Sequence, residues 1–436
     1  MPKLEIQNTN INKIRSYTNN AKEHPEKQIS QIAESIRQFG FNNPILIDEH
    51  GEIIAGHGRF LAARALKLGF VPTICLSHLS EVQKKAYRLA DNKIAENGGW
   101  NVELLKLELE QIELNTEGLD ISSTGFDCLE LDTMFSPQNS RQPDEKTNAV
   151  PYIPDNEIVS KPGDTWLVGP HRIICGNSLN VDTFQTLMHD ERADMILQDP
   201  PFNVPVNGHV CGAGSVKHRE FAMASGEMTS DEFTQFLTTN FKLCAKFSRD
   251  GALHYNFMDW RHQAEILNAG KHAFSDLINM CVWVKSSGGM GSLYRSQHEL
   301  CFILKNGRAS HINNVELGAH GRYRTNVWQY AGVNTFGRHK RDIRLHPTVK
   351  PVEMLHDAIL DVTKRGDIVM DTFLGSGSTL IAAHKAQRIC RGIEYEPRYI
   401  DTTIRRFHDL FGIDAIHAAT GKTYTSMLAE TGGHNE

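Results

Sequence analysis

The sequence predicts an α/β protein: a Rossmann-like, doubly wound, mostly parallel sheet over residues 151–436, with a small α/β domain over residues 1–132 ahead of it. Three observations carry this. Short apolar runs alternate with helical patterns along the longer region, and such alternation builds parallel sheets. Several runs end on an acid, at Asp199, Asp371 and Glu394, where the ligand crevice of such a sheet lies. A glycine turn, Gly375-Ser376-Gly377, leads from one of those strands into a helix. Composition sets the outer bounds. Of 436 residues, 40% are hydrophobic and 22% charged, which excludes collagenous, coiled-coil and wholly disordered chains. No apolar run approaches the roughly 20 residues of a helical membrane span. The opening MPKLEIQNTN lacks an apolar signal core. The eight cysteines contain no CxxC pair, so a reducing cytoplasm is the expected compartment.

The elements follow in order. Residues 1–28 read as polar turns, and a helix starts at the spacing Ile29, Ile32, Ala33, Ile36, Phe39 and stops at Gly40. Strands are expected at Pro44–Asp48, Ile53–Ala55 and Val71–Leu76, with a helix from Gly56-His57-Gly58-Arg59 to Leu68 and another over Lys84–Ala95. Residues 101–132 hold nine acids against Lys106 alone and read as a solvated acidic helix with a leucine side. Residues 133–150, polar and carrying Pro137 and Pro143, read as a linker. In the longer region, strands are expected at Ala193–Gln198, Gly251–Phe257, Met280–Lys285, Leu300–Lys305, Asp367–Asp371 and Arg391–Glu394, with a helix over Ser378–Ala386.

Charge is unevenly placed. The net charge is −6, yet Lys305–Lys350 carries nine basic residues against Glu316 and Asp342. A basic stretch with interleaved aromatics, here Tyr323, Trp328, Tyr330 and Phe336, is the footprint of phosphate contact and base stacking. Within 306–345, Arg322, Arg324, Arg338, Lys340, Arg341 and Arg344 are the candidate DNA contacts.

Two loops carry chemistry. In Asp371-Thr372-Phe373-Leu374-Gly375-Ser376-Gly377-Ser378-Thr379 the glycines bring helix N–H groups close to a ligand. Glu394 ends the next strand, where a carboxylate accepts hydrogen bonds from ribose hydroxyls. The loop lacks Gly-Lys-Ser/Thr, which disfavours a phosphate-gripping P-loop, and the third glycine of a dinucleotide fingerprint is Leu380. The expectation is a nucleoside cofactor. The second loop is Asp199-Pro200-Pro201-Phe202. Adjacent prolines stiffen it and offer only carbonyls. A carboxylate, a carbonyl and a ring in succession suit an exocyclic amine on a flat base, which must leave the duplex to reach them. The bland alternatives are tight turns at both places. A metal site is not expected: His209 and Cys211 are the only close His/Cys pair, and no second pair answers them.

Together these residues resemble the β-class amino-DNA methyltransferases, which methylate adenine N6 or cytosine N4 using S-adenosylmethionine. Asp199-Pro200-Pro201-Phe202 is similar to their catalytic motif and Phe373-Leu374-Gly375-Ser376-Gly377 to their cofactor loop, in the permuted order with the catalytic motif first. Cys175-Gly176-Asn177-Ser178, Trp283-Val284-Lys285, Tyr294-Arg295, His298-Glu299, Thr325–Trp328 and His346–Pro351 resemble further family segments. The resemblance implies a catalytic set Asp199, Pro200, Pro201 and Phe202. It implies a cofactor set of Asp371, Phe373, Gly375, Ser376, Gly377, Thr379, Glu394, Asn177, Ser178, Thr348 and Lys350, and no metal. Asn177 stands where Asp is common. The implied partner is double-stranded DNA, the implied setting restriction-modification or a prophage, and an N4-cytosine target is the nearest alternative.

The first 115 or so residues resemble ParB/sulfiredoxin-like domains through Pro44–Asp48 and Gly56-His57-Gly58-Arg59. The resemblance carries over the fold. Partition-protein chemistry uses a charged pair where His57 and Gly58 stand, and the sulfiredoxin cysteine has no counterpart nearer than Cys75. Candidate roles for this domain are scanning DNA, binding a nucleotide or mediating a homodimer. A more distant alternative for the whole chain is a ParB-like binding protein with an inactive methyltransferase fold.

Overall fold

The computed structural model describes residues 4–114, 121–126, 130–132, 145–204, 224, 226–286, 288, 293–315, 324–332 and 349–432. The chain forms two compact units that divide between Ser136 and Pro137. Expected linker residues 145–150 are built into the second unit. A helical turn at Glu145–Asn148 places the Asn148 amide on Glu353, 3.1 Å away, and Asn148 Oδ1 accepts the Val352 N–H. Thr147 and Asn148 are buried.

The first unit has a four-stranded sheet in the order β1-β4-β2-β3, built from β1 (Ile6–Asn10), β2 (Ile45–Ile47), β3 (Ile53–Ala55) and β4 (Phe70–Cys75). Strand β1 corrects the expectation of polar turns. Its sequence IQNTN has no apolar run, but it pairs antiparallel with β4 along its whole length as an edge strand. Helices α1 (Glu26–Phe39), α2 (His57–Ala65), α3 (Glu81–Glu96) and α4 (Val102–Leu114) stand close to where the periodicity puts them. Ile14, Ile45, Ile47, Ile53, Phe60 and Val71 form the core. Helix α3 begins with a capping box, Ser80 against Gln83, the signal that fixes its start. On α4, Leu105 and Leu109 are buried while Leu104 and Leu107 face solvent, so its apolar side is narrower than the leucine count suggests.

The second unit holds a ten-stranded sheet in the order β11-β9-β10-β8-β7-β12-β13-β6-β5-β14. The strands are β5 (Thr165–Val168), β6 (His171–Cys175), β7 (Ala193–Gln198), β8 (Ser248–Met258), β9 (Asp276–Val284), β10 (His298–Lys305), β11 (Val327–Gln329), β12 (Ile368–Asp371), β13 (Ile389–Glu394) and β14 (Ile416–His417). The centre, β8-β7-β12-β13-β6, is parallel. The flanks are not: β10 runs antiparallel to both neighbours, as β5 does to β6 and β14. The sheet is therefore mixed, since two hairpins extend a parallel core. The β5–β6 turn at Gly169 and the β9–β10 loop need no crossover helix, which is what allows antiparallel pairing there.

Helices α5 (Val181–Met188), α6 (Ser230–Lys246), α7 (Gln263–Ala273), α8 (Val352–Val362), α9 (Ser378–Lys385), α10 (Pro397–Phe411) and α11 (Tyr424–Gly432) complete this unit. Apolar side chains from β7, β8, β12, α8, α9 and α10 make one continuous core, including Met195, Phe257, Val369, Ile359, Leu380 and Phe407. Among the described residues, no helix is long and apolar enough to cross a membrane.

Candidate active site

The sheet order decides which loops meet. Strands β7 and β12 are far apart in sequence but adjacent in the sheet, Met195 opposite Val369. Their carboxyl ends bring Asp199 and Asp371 together at one edge of the parallel core, with Glu394 one strand further on. A buried polar network locks this spacing. Gln198, the last residue of β7, donates from its amide to Asn240 Oδ1 (3.1 Å) and Asn256 Oδ1 (2.7 Å). Thr372, the residue after β12, donates its hydroxyl to Gln198 Oε1 at 2.5 Å and accepts from the Asn240 amide at 3.0 Å. The Asn240 amide also reaches the Ser178 carbonyl. Strands β7 and β12 are thus tied through side chains as well as through the ladder. A polar residue closing the apolar run Met195–Leu197, as Gln198 does, is the sequence signal that marks this network.

Beyond Asp199-Pro200-Pro201-Phe202, Asn203 adopts φ 52° and pins the loop. Its amide donates to the Met228 carbonyl at 2.8 Å, and its Oδ1 accepts the N–H groups of Gly226 and Met228. Asp199 points one carboxylate oxygen, Oδ2, at Lys350 Nζ, 2.5 Å away. Its other oxygen, Oδ1, is buried without a donor among the described residues. Burial is the largest influence on this carboxyl and pushes it up to about 6, against the pull of Lys350 and with an added push from Glu299.

The cofactor loop turns at Gly375 (φ 53°) and Gly377 (φ 83°) before α9. A Cβ on Gly377 would stand 2.6 Å from Thr403 Cγ2, so glycine is required there for space as well as for φ. At Gly375 the same Cβ would meet nothing closer than 4.0 Å, leaving that face of the loop open. Glu394 Oε2 accepts the Gly375 N–H and Oε1 the Glu396 N–H, both at 2.8 Å. Asp371 accepts the Phe373 N–H at 2.9 Å. Burial pushes both carboxyls up to about 7 despite these hydrogen bonds. Arg406, fully buried on α10, clamps the loop to the rest of the unit: it donates to the Ser376 carbonyl, to both the Ser376 and Ser378 hydroxyls, and to the Thr147 carbonyl.

Several residues expected in the cofactor set have partners within the chain. Asn177 Oδ1 accepts the Leu179 N–H and shapes a turn. The Thr379 hydroxyl bonds Asp371 and opposes the rise of its carboxyl. Ser376 partners Arg406. Lys350 Nζ stands 2.5 Å from Asp199 Oδ2 and 3.1 Å from Glu299 Oε2 on β10. Arg324, expected to meet DNA, is turned inward: it pairs with Asp361 at 3.0 Å and Asp357 at 3.3 Å and donates to the Tyr330 hydroxyl. Those α8 acids outweigh burial and hold its guanidinium firmly charged. Arg322, Arg338, Lys340, Arg341, Arg344, Thr348, His209 and Cys211 lie outside the described residues. Among the described residues, no cluster of three or more His, Cys, Asp or Glu could hold a metal ion.

The donor set fits a nucleoside that carries a positive centre. Asp371 and Glu394 present carboxyls at the loop that ionise near neutral pH, with no basic side chain bonded to either among the hydrogen bonds described above, which suits a ribose diol and a cation better than a polyphosphate. These features fit the cofactor crevice of a doubly wound α/β enzyme. The DNA methylase family model matches residues 193–405, the ParB N-terminal domain model residues 2–93, and a ParB-methyltransferase helix-turn-helix domain model residues 103–162. The chain carries an N6/N4 DNA methylase domain of the S-adenosylmethionine-dependent kind and, ahead of it in sequence, a ParB N-terminal domain and a ParB-methyltransferase helix-turn-helix domain. The helix-turn-helix match falls where the sequence suggested only an acidic helix and a linker. The chain is 51% identical over 83 residues to the ParB-like nuclease domain-containing protein YnaK of Escherichia coli (strain K12), covering 19% of this chain and 95% of that one. It is 21% identical over 260 residues to the type II methyltransferase M.HpaI of Haemophilus parainfluenzae, covering 56% and 77%. It is 27% identical over 243 residues to the type II methyltransferase M2.DpnII of Streptococcus pneumoniae, covering 52% and 87%.

Proposed function

We propose that the chain methylates the N6 amine of adenine in double-stranded DNA, with the base turned out of the helix. The observation that carries this reading is Asp199: a carboxylate at a strand end, one oxygen held and the other a buried acceptor without a donor among the described residues. An exocyclic N–H is the donor that would satisfy it. S-adenosylmethionine, when bound, supplies an electrophilic methyl group on a sulfonium. In this reading Asp199 Oδ1 and the Pro200 carbonyl each accept one N–H, which aims the nitrogen lone pair away from the ring. Asp199 takes the surplus proton once the nitrogen carries its new substituent. Phe202 lies against the base. Glu394 and the Phe373–Gly377 loop hold the ribose and methionine portions, and orientation rather than acid strength provides most of the rate.

For the first unit we propose binding of a phosphate-bearing ligand, nucleotide or DNA, at the start of α2. Arg59 there has a buried Nε without a partner among the described residues, and its guanidinium lies beside Gly56.

The test incubates the full chain with methyl-tritiated S-adenosylmethionine and unmethylated genomic DNA, then separates the nucleosides. Label in N6-methyladenine supports the reading. Label in N4-methylcytosine replaces the target base, and no label in any base leaves a DNA-binding protein.

A further inference from the structure

We infer that Lys350 and Glu299 are positioning residues for Asp199, a pair that fixes one carboxylate oxygen and leaves the other for the target amine. The inference rests on amine chemistry at Asp199, but not on which base carries the amine.

The geometry is a partly buried chain of alternating charges. Lys350 Nζ stands 2.5 Å from Asp199 Oδ2 and 3.1 Å from Glu299 Oε2. Lys285 pairs with the other oxygen of Glu299. Two ammonium groups thus balance two carboxylates, and each carboxylate is held in one orientation. Three rings close around the Lys350 ammonium, with centroids at 5.0 Å (Phe257), 5.4 Å (Phe202) and 6.0 Å (Trp283). Phe202 belongs to the catalytic loop itself, so the lysine touches both the acid and the ring that the chemistry needs.

A buried ion pair of this kind is a weak source of stability, because desolvation offsets much of the attraction. Its consequence here is orientational. With Oδ2 held, the carboxylate cannot spin to present either oxygen, and Oδ1 alone is left as acceptor. Glu299 in turn prevents Lys350 from swinging fully onto Asp199 and covering Oδ1. The groups that face Asp199 electrostatically are Lys350 on the segment before α8, Glu299 and Cys301 on β10, Lys285 after β9, and Asp371 at the end of β12. Lysine lowers and glutamate raises the carboxyl of Asp199. The two partners therefore act with opposite sign on one readout.

The experiment is single-turnover methyl transfer from methyl-tritiated S-adenosylmethionine to unmethylated genomic DNA by the full chain, followed across pH. Cofactor affinity is measured separately by equilibrium binding. In the wild type the acid limb of the rate should report Asp199, whose carboxyl burial raises to about 6. Lys350→Met should move that limb to higher pH and lower the plateau by roughly 10²-fold. Glu299→Gln should move it to lower pH, and Lys350→Arg should restore it toward the wild-type position. If Lys350→Met alone does not fold, the double variant Lys350→Met/Glu299→Gln removes one charge of each sign. It should keep cofactor affinity and lose the plateau. Limbs in both single variants that coincide with the wild type, or a double variant with an undiminished plateau, overturn the inference. A wild-type protein that labels no exocyclic amine overturns the proposed function and the inference together. A labelled amine with unmoved limbs overturns the inference alone.

Discussion

The two units contain the same backbone device with opposite electrostatic surroundings. In the first, β3 runs into Gly56 (φ 101°), which starts α2. In the second, β12 and its loop run into Gly377 (φ 83°), which starts α9. Neither helix has a side-chain cap, so both leave N–H groups for a ligand. What differs is the company. Around Gly56 stand Arg59 and His57, the latter pushed down to about 4 by burial, then by His24 and Arg88, and so neutral at physiological pH. Around Gly377 stand Asp371 and Glu394, with Asp199 on the adjoining strand. A glycine turn into a helix therefore does not name its ligand. The charges on neighbouring strands do: a cation at the first turn suits an anion, and carboxylates at the second suit hydroxyls and a positive centre.

The comparison breaks most readily at Glu394. Glu394→Gln should cost S-adenosylmethionine affinity by about 10- to 100-fold, the worth of a hydrogen bond to a charged group, as read by calorimetry on the full chain. Arg59→Gln should leave that affinity unchanged. Gly377→Ala comes next. Strained φ and the Thr403 contact at 2.6 Å should destabilise the second unit by roughly 1–3 kcal/mol in denaturant unfolding. Gly56→Ala should cost less, about 1 kcal/mol in the first unit, because the nearest atoms at 2.8 Å belong to the movable Arg59 side chain. Thr372→Val removes a donor from the buried network and should cost about 1–3 kcal/mol, with slower methyl transfer as the two loops lose their fixed spacing.

The smallest effect is one of pH. Asp371 and Glu394 are raised to about 7 in the folded chain, so the folded state holds protons that the unfolded chain has already released. Their contribution to stability is complete below the ordinary carboxylate range and is lost as pH rises through about 7. The melting temperature of the cofactor-free protein should therefore fall as pH rises from about 4 to about 7, less so in Glu394→Gln. Stabilisation by S-adenosylmethionine should rise over the same interval, since its positive centre favours the ionised acids.

Much of this was legible in the residues. The strands ending at Asp199, Asp371 and Glu394 are apolar runs that stop on an acid, and such runs mark themselves. The glycine turn and the proline pair are equally local. What escaped is what the sheet order creates. Gln198 meets Asn240 and Thr372 only because β7 lies beside β12, and no spacing along the chain shows that. Lys350 stands in a segment expected at the cofactor pocket, and its contacts with Asp199 and with Glu299 on β10 depend on the sheet order. Arg324 sat in a basic stretch, yet the acids that claim it, Asp357 and Asp361, lie on α8, more than thirty residues away. Strand β1 failed for the opposite reason: an edge strand needs backbone partners, not apolar side chains, and IQNTN offers only the former.

The most direct test of the central claim compares Asp199→Asn with the wild type in two assays, equilibrium binding of S-adenosylmethionine and single-turnover methyl transfer to unmethylated DNA. If Asp199 orients and deprotonates the amine, the variant binds cofactor as the wild type does and transfers methyl roughly 10²- to 10⁴-fold more slowly. A variant that binds cofactor and transfers methyl at the wild-type rate would contradict the account.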